Sequence, residues 1–132
     1  MITGNLQRRW SEQRPPVYDK ATRIVCLDIK AEAQSNEEGG FTNGFSYLPV
    51  EIDTNIDYGH IKSQLIEAGF AQKDEFALLM NAVDSILACA VEATSWAKFK
   101  EGLDAEDLQK FTEFCAFRNE CAAAAHEVLN NY

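Results

Sequence analysis

No apolar run in the 132 residues approaches the 18 or so needed to cross a membrane. The opening stretch MITGNLQRRWSEQRPP has none of the apolar core that a secretion signal carries, so an intracellular location is expected. The four cysteines, Cys26, Cys89, Cys115 and Cys121, show no Cys-x-x-Cys spacing. The two histidines, His60 and His126, sit in unrelated contexts, so no four-ligand zinc cluster is assembled. Reduced structural thiols, with no metal and no cofactor, are the expectation. Phosphate-binding and dinucleotide glycine patterns, Gly-x-Ser-x-Gly and His-Glu-x-x-His are all missing, and no enzyme class is indicated.

What remains is a chain with 46% hydrophobic and 25% charged residues, enough to build one folded domain. The net charge is −9 and unevenly placed. Residues 1–35 hold six bases against four acids, a balance of +2, while the remaining 97 hold six against 17, or −11. Phosphate and anionic-membrane binding depend on Lys and Arg, so the acidic part disfavours both nucleic-acid and membrane partners.

Residues 1–21 read as an extended arm, because Pro15-Pro16 resists helix and lacks two backbone donors. Trp10 within it has two readings: folded back onto the domain, or anchoring a neighbouring subunit. Residues 22–132 then form a single domain, with a β part over 22–53 and a helical part over 54–132. Thr22 to Ala33 alternates, with Val25, Leu27, Ile29 and Ala31 on one face and Cys26, Asp28, Lys30 and Glu32 on the other. A second strand lies within Phe45 to Asp53, with Pro49 marking an edge or an interruption.

Thr54 or Asp57 caps a short helix carrying Ile61, Leu65 and Ile66, stopped at Gly69. The strongest periodicity follows. Phe76, Leu79, Met80, Val83, Ile86, Leu87, Ala90 and Val91 recur at three- and four-residue steps, predicting an amphipathic helix from about Lys73 to at least Thr94. Gly102 breaks it, and Asp104, with Asp107 at the capping-box position, begins a third helix. That helix carries Leu108, Phe111, Phe114, Cys115, Cys121, Ala122, Ala125, Val128 and Leu129. The fold class is therefore α+β: an N-terminal β-hairpin or small antiparallel meander, then a short helix and a long antiparallel helical hairpin. So little sheet leaves apolar helix surface uncovered, and a homo-oligomer is the simplest cover.

Candidates for chemistry are thin. His60 can be posed against Asp57 as an acid–base pair, but Asp57 serves more naturally as a cap. Cys121 and His126 are five residues apart on one helix and face each other poorly. Arg118 has two readings: a stem covering apolar surface, or a buried anchor for an acidic group.

The stretch Tyr18-Asp19-Lys20-Ala21-Thr22-Arg23-Ile24-Val25, the segment YGHIKSQLIEAGF (Tyr58 to Phe70) and the element Phe114-Cys115-Ala116-Phe117-Arg118 resemble small phage- and prophage-encoded proteins of uncharacterised activity. The likeness is one of element order over most of residues 18–132, with Phe117 where an aromatic, usually Trp, precedes the arginine. It implies a setting: a phage accessory or virion-associated protein, located in the host cytoplasm or on the virion.

Three functions are weighed. The first is a non-enzymatic protein–protein interaction component whose basic arm lies on a neighbour's acidic body, with Trp10, Arg14, Tyr47, Tyr58 and Arg118 as candidate contact residues. The second is an acidic inhibitor imitating nucleic acid, which requires Glu67, Asp74, Glu75, Asp84, Glu92 and Glu101 to gather on one face. The third is a small-molecule-binding oligomer built on Tyr47, Tyr58, His60 and Arg118.

Overall fold

The computed structural model describes residues 2–92, 95 and 106–130. Six strands come first: β1 (Arg9–Ser11), β2 (Tyr18–Asp19), β3 (Ile24–Ala31), β4 (Gln34–Ser35), β5 (Phe41–Thr42) and β6 (Phe45–Glu51). Three helices follow: α1 (Tyr58–Gly69), α2 (Gln72–Glu92) and α3 (Glu106–Asn130). This is the expected α+β order of antiparallel sheet, then helices. The break at Gly102 and the cap at Asp104 lie outside the described residues.

β3 and β6 form the central hairpin of an antiparallel sheet ordered β1-β6-β3-β2, and β4 and β5 make a small ribbon at its tip. The expected arm is not separate from the domain. Its residues 9–11 pair with 45–47 as one edge, and Tyr18 and Asp19 pair with Val25 and Ile24 as the other. Pro15-Pro16 falls in the connection between these edges, where no ladder donor is needed.

Pro49 sits in an interior strand that runs unbroken from Phe45 to Glu51, so neither the expected edge nor the expected interruption is found there. The Cys26 amide donates to Val17 O at 2.8 Å, so the Cys26–Pro49 pair exchanges no bonds and the Pro49 nitrogen faces away from β3. On that side β1 reaches only Tyr47, and no bond is lost.

The predicted alternation of β3 breaks at a bulge. Leu27 opposes Leu48 and Lys30 opposes Ser46, so three steps on β3 match two on β6. Asp28 takes up the extra residue with φ 48°, a left-handed conformation that Asp tolerates better than most side chains. Val25 and Leu27 point into the core as expected, but Lys30 is carried to their face and Ala31 is exposed.

A polar network holds this bulge. The Arg8 guanidinium donates to Asp28 O (3.1 Å), Ser46 Oγ (2.9 Å) and the Asp28 carboxylate; Lys30 Nζ lies 3.3 Å from that carboxylate. The Asp28 amide donates to Glu120 Oε1 of α3 at 2.9 Å. Partial burial pushes the Asp28 carboxyl up, but the hydrogen bonds from Arg8 and Lys30 outweigh it and hold the group below its ordinary value. A depressed carboxyl stabilises the fold above the unfolded value, about 3.9, and loses that contribution as pH falls through the folded one. Asp28→Asn should therefore be less stable than wild type at pH 7, with the gap closing toward pH 3 in urea titrations. A gap of equal size at both pH values would contradict the network.

The core lies between the sheet and two of the helices. Val25, Leu27, Leu48, Val50 and Ile52 meet Ile61 and Leu65 of α1 and Phe114, Phe117, Cys121, Ala125 and Val128 of α3. Asp57 caps α1 as expected, its carboxylate accepting from the His60 amide at 3.1 Å. α1 ends at Gly69, where Phe70 turns extended, and the position is crowded: a Cβ there would stand 2.8 Å from the Phe117 ring.

Candidate functional site

The nominated contact residues are spread over the molecule. Trp10 is folded back, its indole nitrogen donating to Glu32 O at 2.8 Å and its ring lying against Gly44. Tyr47 pairs with Arg9 on the sheet face turned away from the helices, where Arg14 lies 5.7 Å from the Phe45 ring centre. Tyr58 opens α1 and stacks on His126 near the end of α3, with ring centres 4.4 Å apart. Arg118 is exposed on α3, two turns or roughly 12 Å before His126. The set Tyr47, Tyr58, His60 and Arg118 does not converge on one cavity.

His60 pairs instead with Asp53, Nε2 to Oδ2 at 2.6 Å, a contact the sequence pattern did not single out. The hydrogen bond from His60 holds the exposed Asp53 carboxyl below its ordinary value. Burial pushes the Cys121 thiol up to about 12, so it stays protonated and inert at neutral pH. With the His126 ring engaged by Tyr58, Cys121 and His126 form no nucleophilic pair. Cys26 is likewise buried, and no two of the four cysteines are joined in a disulfide.

The feature left over is α2. It packs on α3, and its covered or half-covered residues are Glu75, Leu78, Ala82, Val83, Ser85 and Cys89. Ser85 Oγ donates to Asp107 Oδ2 at 3.4 Å, so the later part of α2 lies beside the start of α3 and the two helices run antiparallel. The large side chains predicted to seek a core point outward. Phe76 is 63% exposed, Leu87 57% and Val91 86%, and Leu79, Met80 and Ile86 are each more than a third exposed. Among the described residues of α2 only Ala82 is buried. From Phe76 to Val91 the single charged residue is Asp84.

The stripe continues into an open groove of about 660 Å³ between α2 and α3, with Phe76, Leu79, Phe111 and Phe114 as its apolar lining. Glu75 and Arg118 also line this groove. Arg118 is thus a rim residue and not a buried anchor. Asp74 lines a different hollow, with Ile2, Phe70 and Lys110, while Asp84 is exposed farther along the helix. The acids of α2 therefore gather on no common face among the described residues; the side chain of Glu92 and all of Glu101 lie outside them.

Chemically, the site offers apolar contact area with a polar rim. Among the described residues there is no group of three His, Cys, Asp or Glu side chains able to hold a metal ion, and no helix long and apolar enough to cross a membrane. No family model, no curated protein and no solved structure matches this chain.

Proposed function

We propose that this chain is a non-enzymatic protein–protein interaction component that associates with itself through the outward face of α2. The supporting observation is the uncovered stripe from Phe76 to Val91. Six large side chains offering roughly 80 Å² each amount to about 500 Å² of contiguous apolar surface, at the upper end of what monomers leave open. Two such faces together approach about 1,000 Å², the lower bound for a specific interface. The phage accessory role is the setting of this proposal and rests on the resemblance of Tyr18 to Val25 and Tyr58 to Phe70.

Light scattering tests it. The wild-type chain should have at least twice its single-chain mass of 14.8 kDa. The double variant Leu79→Glu/Leu87→Glu should fall to that single mass with its helical circular dichroism intact, because both side chains are exposed in the fold. Added salt should strengthen the association, since each copy carries −9 and repulsion is screened. Contact with a basic partner would weaken with salt instead. A wild-type chain that stays at the single mass at tens of micromolar overturns the proposal.

A further inference from the structure

Resting on that reading, we infer that the occupant of the α2 face is the α2 of a second copy, running antiparallel about a two-fold axis at Val83. Closed two-fold contacts require a surface that complements itself. With the axis at Val83, Phe76 meets the partner's Ala90, and Leu79 and Met80 meet the partner's Leu87 and Ile86. The largest side chain of the stripe is thereby set against its smallest, once at each end. Parallel pairing would put Phe76 on Phe76 and Ala90 on Ala90, crowding one end and leaving a hollow at the other.

The stripe has the length for this contact. Residues 76–91 of α2 rise about 24 Å, long enough for three layers of side chains with Val83 in the middle. Each protomer already holds α2 against α3 in an antiparallel hairpin, so the pair builds a four-helix arrangement in which α2 gains cover on its open side. The α2–α3 groove opens beside Phe76, so an arriving helix can deepen the contact there.

Disulfide trapping in the full chain tests the register, in a background carrying Cys89→Ala and Cys115→Ala to remove the half-buried thiols. A bond forms only where Cα atoms come within about 7 Å. Val83→Cys should cross-link to itself. Phe76→Cys mixed with Ala90→Cys should yield roughly tenfold more covalent dimer than either variant alone. Self-linking of either end variant would mean parallel pairing and overturn this inference, while leaving self-association through α2 in place. Linking at neither 83 nor the mixed ends, in a chain that light scattering shows to be dimeric, overturns it too. A single-chain mass for the wild type overturns it together with the proposed function.

Discussion

Phe117→Ala should cost about 3–5 kcal/mol, enough to unfold much of the chain if its stability is ordinary for its size. The ring is fully buried in the middle of the core, where sheet, α1 and α3 meet. It packs edge-on to Phe70 with ring centres 5.2 Å apart, and it closes over the backbone of Gly69. Removing it empties a volume bounded by helix backbone on one side and the sheet on the other, neither of which can collapse inward cheaply. Urea unfolding monitored by circular dichroism measures the loss. Phe117→Leu, which keeps most of the volume, should retain most of the stability. A loss under about 1 kcal/mol for the alanine variant would mean that the sheet and α3 do not pack as described.

Gly44→Ala is the second large effect, expected at about 2–3 kcal/mol. The methyl group would fall 2.3 Å from the Trp10 ring and 2.6 Å from Ser11 O, so β1 must move. Moving it breaks the bond from the Trp10 indole to Glu32 O and strips the edge from β6. Tryptophan emission should shift to the red in the variant. In a Trp10→Ala background the same substitution should cost much less, because the ring that blocks the methyl is gone; the Ser11 carbonyl still limits the relief. Equal costs in both backgrounds would show that Trp10 is not seated there. This experiment separates an N-terminal segment built into the sheet from a free arm, which Gly44→Ala would not affect.

The elements that were readable in advance are those fixed by local chemistry. Asp57 had to find a use for its carboxylate at a helix start, and the periodicity of Phe76 to Val91 placed the beginning of α2 within one residue of Gln72. The stripe on α3 was read partly correctly: Phe114, Cys121, Ala125 and Val128 are buried, but Phe117 and Ala124 belong with them, and Leu129 remains 38% exposed. The sequence pattern marks Phe117 only as the neighbour of Arg118, since a wide apolar surface on one helix leaves its centre undetermined until a partner is known.

Sequence by itself determined the kinds and order of elements, because hydrogen-bond geometry imposes a period of 2 or 3.6 residues that side-chain polarity reveals. Tertiary structure alone decided which apolar faces are covered. The sheet takes up the best face of α3, and α2 docks through a face where Ala82 and Ser85 are small enough for the two helices to approach closely and Leu78 reaches the core. The larger stripe is therefore left outside. It also decided the conformation of Asp28, whose left-handed backbone is stabilised by Arg8 and Glu120, residues 20 and 92 positions away in the chain. No window of neighbouring residues contains those partners, and an alternating strand pattern has no means of announcing the bulge they hold.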